Sequence, residues 1–270
     1  MYADLGRPPL AARALAPGLV GGASIWHDIR VVGQTGSTNA DLAEAARDGA
    51  AEGLVLIAEE QVRGRGRLAR DWNSPPQAGL TLSVLLRPRV PRAGWGWLPL
   101  LAGVSLATAV AEVAELPTFL KWPNDLLLGE GRGKAAGILA EVAEDAVVLG
   151  LGLNVSTRRD ELPHGGATSL AVEGATRLDR ATVLRAVLRG LDQRYRAWSA
   201  ADGDAIACGL HRDYETLCDT LGRDVRVALP SGELHGRAEG IDATGRLLVR
   251  DSRGGVHPLA AGDVTHVRPT

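Results

Sequence analysis

Leu54-Val55-Leu56-Ile57-Ala58-Glu59-Glu60-Gln61-Val62-Arg63-Gly64-Arg65-Gly66-Arg67-Leu68-Ala69-Arg70-Asp71-Trp72 carries an apolar run straight into a basic one. Five successive aliphatic residues read as a buried strand, so the arginines begin where that strand ends. Four arginines and two glycines fall within the eight positions from Arg63 to Arg70. Glycine lets the backbone approach a ligand closely and turn successive N–H groups toward an anion. Like charges this close repel, so the loop is expected to be mobile until an anion neutralises it and closes it. The Gly-x-Gly spacing has no third glycine, and no helix pattern follows it. Dinucleotide fingerprints and Walker loops are both excluded. Trp72 ends the loop with a flat face that suits either a base or packing beneath the loop.

Outward from this loop the chain reads as strands and helices of an α+β domain. Upstream, Gly36-Ser37-Thr38-Asn39-Ala40-Asp41 matches a helix start, with Thr38 and Asp41 as a capping box. That helix is expected over Ala40–Arg47, ending at Gly49 in a left-handed cap. Downstream, a strand is expected over Gly79–Arg87, a helix near 97–115, and short strands at Phe119–Trp122 and Leu126–Leu128. A hairpin pairs Ala136–Val142 with Ala146–Val155 across Glu144-Asp145. Helical spacing recurs over Arg180–Trp198 and near 204–220. From about Leu221 the texture changes. Val225–Leu229, Leu234–Ile241, Leu247–Asp251 and Val256–Leu259 recur at roughly eight-to-twelve-residue spacing. They are separated by Pro230-Ser231-Gly232, Ala243-Thr244-Gly245 and Arg253-Gly254-Gly255, which makes a small β-barrel. The expected division is an N-terminal segment at 1–33, a main domain at 34–218 and the barrel at 219–270. The first thirty residues offer at most one short helix, with no room for a helix-turn-helix before the main fold.

The chain has 270 residues, 30 basic side chains and a net charge of −2. That balance excludes a general nucleic-acid binder, because the basic charge is local. Only two of the basic residues, Lys121 and Lys134, are lysines. A lysine enters a tight site as a point charge where the guanidinium fork does not fit. Lys121 opens Lys-Trp-Pro-Asn-Asp, so a cation, Asn124 and Asp125 share one loop between strands. Lys134 precedes a strand carrying Gly137, and Gly150-Leu151-Gly152-Leu153-Asn154 repeats glycine on its hairpin partner. Glycines on one strand face leave a slot there, with Asn154 offering both donor and acceptor on that face.

The six histidines are scattered without ligand spacing, and Ser37 has no His partner, which excludes a serine hydrolase. Cys208 and Cys218 fall in one helical region, too far apart on a straight helix to bridge, and suit a reducing cytoplasm. Residues 94–111 are free of charge, but Pro99, Gly103, Ser105 and Thr108 mark a buried core helix rather than a membrane span. Ala14–Trp26 is diluted by Pro17 and glycines and is not read as a secretory signal. From the residues alone, the function is an enzyme that handles a phosphate-bearing ligand, a nucleotide above all.

Gly-Ser-Thr-Asn at 36–39, Gly-Arg-Gly-Arg-x-x-Arg-x-Trp at 64–72, Lys-Trp-Pro-Asn-Asp at 121–125, Lys-x-x-Gly-Ile-Leu-x-Glu at 134–141 and Gly-x-Gly-x-Asn at 150–154 together resemble the bacterial biotin protein ligases. The last fifty or so residues resemble their C-terminal barrel. The resemblance implies a central mixed, mostly antiparallel sheet with flanking helices, related to class II aminoacyl-tRNA synthetases, plus an SH3-like barrel. It implies two steps: biotin and ATP, with Mg²⁺, give biotinyl-adenylate, and a lysine of a biotin carboxyl carrier domain then takes the biotin.

Position by position, Ser37, Thr38, Asn39 and Gln61 would bind biotin, the ureido group falling to Ser37, Thr38 and Gln61. Gly64, Arg65, Gly66 and Arg67 would wrap the adenylate and Arg70 would meet phosphate. Trp72 would pack by the adenine, and Asn154 would bond it. Lys134 would hold the biotin carboxylate and the bridging oxygen. Gly137, Leu139, Gly150 and Gly152 would line the slot. Asn124 would stand by the phosphates with Asp125, the candidate metal ligand. Lys121 and Arg223 stand as weaker candidates. A dedicated cytoplasmic ligase is expected, monomeric or dimeric with ligand, without DNA binding or membrane attachment. The rivals are a lipoate or octanoate ligase on the same scaffold, and a silent biotin or nucleotide sensor.

Overall fold

The computed structural model describes residues 7–163, 166–229 and 232–267. The Pro230-Ser231 part of the first expected barrel turn lies outside them. A short helix α1 (Ala12–Leu15) precedes β1 (Asp28–Val32), α2 (Thr38–Arg47), β2 (Leu54–Ala58) and β3 (Gly79–Leu86). Helix α3 (Trp97–Ala114) leads to β4 (Thr118–Lys121), β5 (Asp125–Leu128), β6 (Gly133–Ala143) and β7 (Ala146–Asn154). Helices α4 (Arg180–Ala200) and α5 (Leu210–Leu217) follow, then β8 (Asp224–Leu229), β9 (Gly232–Ile241), β10 (Leu247–Arg250), β11 (Val256–Leu259) and β12 (Asp263–His266).

Seven strands form one sheet in the order β1-β2-β3-β7-β6-β5-β4. Only β1 and β2 run parallel; the other neighbours are antiparallel. The remaining five form an antiparallel sheet, β11-β10-β9-β8-β12, the SH3-like barrel. Two strands go beyond the sequence reading. β1 lies within the expected N-terminal segment yet pairs residue by residue with β2, so the sheet starts upstream of residue 34. β12 closes against β8 after a reading that stopped at Leu259.

Helix α3 is apolar nearly all round because it is buried nearly all round, between the sheet and α4. It is long and apolar enough for a membrane span, yet 72% of it is buried within the fold. Trp26, Trp97, Trp122 and Trp198 are buried within the same core. Trp97 and Trp122 reach the barrel turn, donating to the carbonyls of Ala243 and Gly245. A buried indole needs such a partner, so these bonds fix where the barrel sits. Glu59 and Arg180, both almost fully buried, pair at 2.6 Å and anchor the start of α4 beside β2. Cys208 precedes α5 and Cys218 caps its end, so the two do not share one helix; both are free.

Candidate active site

The opposite face of the sheet carries the site, and strand register explains why. Asp125 opposes Gly137, Gly137 opposes Gly152, and Gly152 opposes Thr81, one row across four strands. The next row joins Leu139, Gly150 and Ser83. Directly opposed residues share a face, so three glycines lower the floor of one depression there. A cavity of about 640 Å³ opens over this floor.

Helix α2 walls one end. Its N-cap is Ser37, whose hydroxyl accepts from the Ala40 N–H, rather than the Thr38 expected from the capping-box pattern. Asp41 therefore falls one place beyond the box and bonds Thr35 instead. This shift puts Ser37, Thr38 and Asn39 in the first turn, all buried and all lining the cavity. Gln61 joins them, its Oε1 accepting from the Thr38 N–H at 2.7 Å. Asn39 packs against Gly150, where any Cβ would fall 2.2 Å from its Oδ1.

The arginine loop covers the cavity. Its backbone folds back on itself, with Trp72 N–H donating to Gly64 O and Gly66 N–H to Arg70 O. Gly64 sits where a Cβ would strike the Trp72 carbonyl at 2.2 Å, so it shapes the loop and does not line the cavity. A single 3₁₀ turn, Arg67–Ala69, stands where no helix pattern was read. The Trp72 ring lies on the glycine floor itself, 2.4 Å from where a Gly152 Cβ would be. The part of the slot over Gly137 and Gly152 is thus the seat of the loop's own tryptophan, while Asn39 fills the space over Gly150.

The cations gather at the other end. Lys134 Nζ lies 2.7 Å from Asp125 Oδ1. Asp125, the expected metal ligand, faces the lysine here. Arg67 donates to Asn124 Oδ1 at 3.2 Å, and Asn124 donates in turn to Ile138 O. Asn124 thus sets Arg67 in place. Burial pushes the Arg67 guanidinium below arginine's usual value, while Asp125 and Asp263 pull it back. An arginine stays charged under such a balance. Arg65, Arg70 and Lys121 also line the cavity.

Asn154 is buried, and its Nδ2 donates to Thr168 O at 3.0 Å, leaving its oxygen for a ligand. Arg223 pairs with Asp219 at 2.7 Å and is not part of the cavity wall. Among the described residues no group of three His, Cys, Asp or Glu forms a metal cage.

Among the wall residues that sequence reading missed, Arg132, Asp263 and His266 carry titratable or charged groups. Arg132 stacks its guanidinium 3.3 Å from the Phe119 ring centre, and only its nearness to Lys134 hinted at it. Asp263 and His266 come from β12, a strand not anticipated. Asp263 pairs with Arg70, and the Gly262 carbonyl accepts from Arg67, so the barrel touches the loop directly. Burial, then the Lys121 charge, pushes the His266 imidazole down to about 4 against the pull of Asp219.

The chain matches the Biotin/lipoate A/B protein ligase family over residues 33–155 and the Biotin protein ligase C terminal domain over 220–267. It is 45% identical over 268 residues to the Biotin--[acetyl-CoA-carboxylase] ligase of Mycobacterium tuberculosis, covering 97% of both chains. This chain belongs to the biotin protein ligase family. The Bifunctional ligase/repressor BirA of Bacillus subtilis is 33% identical over 238 residues, 85% of this chain and 70% of that relative. Among solved structures, the biotin protein ligase from Aquifex aeolicus in complex with biotin and ATP superposes with a TM-score of 0.76. It is 29% identical, and the match covers 90% of this chain and all of that one. The shared fold is thus that of a biotin ligase, and the cavity lies where the family's motifs meet.

Proposed function

We propose that the chain is an ATP-dependent biotin–protein ligase. A biotin carboxylate oxygen attacks the α-phosphorus of ATP, the bond to pyrophosphate breaks, and biotinyl-5′-AMP forms. The ε-amine of a lysine on a carboxyl carrier domain then attacks the acyl carbon, an amide forms and AMP leaves. The single observation that carries this reading is one continuous cavity with a hydroxyl–amide end, the buried Ser37 and Thr38 with the half-buried Gln61, and a cationic end, Arg67, Arg70 and Lys134. A urea presents two donors and one acceptor, which such an end satisfies. Phosphoryl transfer concentrates negative charge on equatorial oxygens, which fixed cations stabilise most in a site closed to water.

In this reading Lys134, held by Asp125, meets the carboxylate and the bridging oxygen. Arg67 and Arg70 meet phosphate, and Arg65 with Gly66 lies along the adenylate. Trp72, seated on Gly137 and Gly152, offers its outer face to adenine, while the Asn154 oxygen takes the exocyclic amine. Leu139 and Gly150 bound the biotin rings. Mg²⁺ enters as the counterion of the triphosphate, which needs few protein ligands. An acyl-adenylate hydrolyses where water reaches it, so the loop protects what it covers.

The near end-to-end match to a relative named as a ligase alone supports a dedicated ligase acting without operator DNA, and two free cysteines suit the cytoplasm. A biotin-dependent shift of operator DNA would contradict that part. ATP–pyrophosphate exchange measured with biotin and with lipoate tests the reaction. Exchange with biotin alone is expected; exchange that lipoate supports equally would move the assignment to a lipoate ligase.

A further inference from the structure

The motif from Lys134 ends at Glu141, which the adenylation chemistry leaves without a role. Strand β3 meanwhile buries one hydroxyl completely, that of Ser83. The two are joined through Asn39. Asn39 Nδ2 donates to Glu141 Oε2 at 2.7 Å and to Leu139 O at 3.3 Å. Two acceptors on one side fix which way the amide points. Its Oδ1 therefore faces Ser83 Oγ, at 2.6 Å. An amide oxygen only accepts, so the Ser83 proton lies on that line.

Ser83 Oγ is also 2.7 Å from Thr38 Oγ1. A separation that short between hydroxyls needs one proton between them. Ser83 has none left, so Thr38 supplies it. Gln61 does not reverse this: its oxygen is already fixed as acceptor by the Thr38 N–H, and it stands 3.0 Å from Thr38 Oγ1. Every protein group that meets the Thr38 hydroxyl is thus an acceptor for it.

We propose that Glu141, Asn39 and Ser83 are positioning residues that fix the Thr38 hydroxyl as a hydrogen-bond acceptor toward the cavity, so that the site selects a ligand N–H. This rests on the biotin reading, in which that N–H belongs to the ureido ring. A dithiolane ring has no such donor and would leave a buried oxygen unpaired, the situation that gives strong discrimination. The relay spans α2, β3 and β6, so helix, sheet and hairpin must all be in place before the hydroxyl is ordered.

The test uses the intact enzyme in ATP–pyrophosphate exchange. KM is measured for biotin and for its two isomeric cyclic carbamates, each with one ureido N–H replaced by ring oxygen. In the wild type, the isomer that sets oxygen against Thr38 is expected to raise KM by about 100-fold. In Ser83→Ala only the longer contact to Gln61 Oε1, at 3.0 Å, is left to take the Thr38 proton, so the hydroxyl is held less firmly and that ratio is expected to fall to about tenfold, within the range of a single hydrogen bond. The ratio for the other isomer stays where it was. Glu141→Leu, on the half-exposed side of β6, leaves Asn39 Nδ2 only its 3.3 Å bond to Leu139 O, so the amide is held less firmly and the same ratio is expected to fall, by less than in Ser83→Ala. Glu141→Gln keeps an acceptor and restores the wild-type ratio. If Ser83→Ala does not fold, Glu141→Leu decides. Both carbamate ratios unchanged in the variants, or KM raised equally for all three ligands, would overturn the relay while leaving the biotin reading intact. No exchange with biotin in the wild type would overturn the function itself.

Discussion

At the scale of single residues, the site depends on side chains whose polarity or absence is fixed by neighbours. Lys134 is a point charge clamped by Asp125. Lys134→Ala is expected to slow biotin-dependent pyrophosphate exchange by two decades or more, about 3 kcal/mol of lost charge stabilisation. Near-normal turnover would remove the lysine from the mechanism. Gly152 is defined by what cannot be there. A methyl at that position would meet the Trp72 ring at 2.4 Å, with the strand backbone unable to yield. Gly152→Ala is expected to lift the tryptophan off its seat and raise the KM for ATP at least tenfold, with a smaller effect on biotin. Equal effects on both substrates would mean that Trp72 does not serve the nucleotide. These residues were legible in the sequence as types: a rare lysine, a glycine pair, an aromatic after arginines. Their partners were not. Nothing in the sequence says that Asn124 holds Arg67 or that Asp125 holds Lys134, because those contacts depend on register and on a bulge between Leu126 and Leu127.

At the scale of elements, long periodic segments were readable and short charged ones were not. Helix α3 and the β6–β7 hairpin fell within a few residues of expectation, since each is long and mostly apolar. β1 and β12 have five and four residues and alternate poorly. Pairing with β2 and β8 makes them strands, a tertiary effect that local pattern does not carry. The loss mattered for function, because β12 brings Asp263 to Arg70. That pair is exposed, so it contributes on the order of 1 kcal/mol or less, a tether that ligand can readily outweigh. Asp263→Ala is therefore expected to speed proteolysis near Arg67 a few-fold in the free enzyme, and biotin with ATP should slow cutting in both forms. Cutting unchanged by the substitution and by ligand would mean that neither the barrel nor the substrates hold the loop.

At the scale of the whole molecule, the catalytic sheet and the barrel share one seam, built from Trp97, Trp122, Asp219 and His266. His266 faces Thr220, Asp219, Lys121 and Arg223, and its folded pKa of about 4 lies below the ordinary histidine value. Between those two values the unfolded chain binds a proton that the folded one refuses, so stability rises with pH across this window. The thermal midpoint is expected to fall as pH drops from the ordinary histidine range toward 4, and His266→Asn should flatten that part of the curve. An identical curve for the variant would place the pH dependence elsewhere. The larger account is that this seam and the loop together enclose an acyl-adenylate between a fixed urea site and fixed cations until an amine arrives. Its most direct test is a single-turnover transfer of labelled biotin, with ATP, to a purified carrier domain. The account predicts label on one carrier lysine, formed through an enzyme-bound adenylate and lost in Lys134→Ala. Label that stays on small molecules, or reaches the carrier equally well without Lys134, would contradict it.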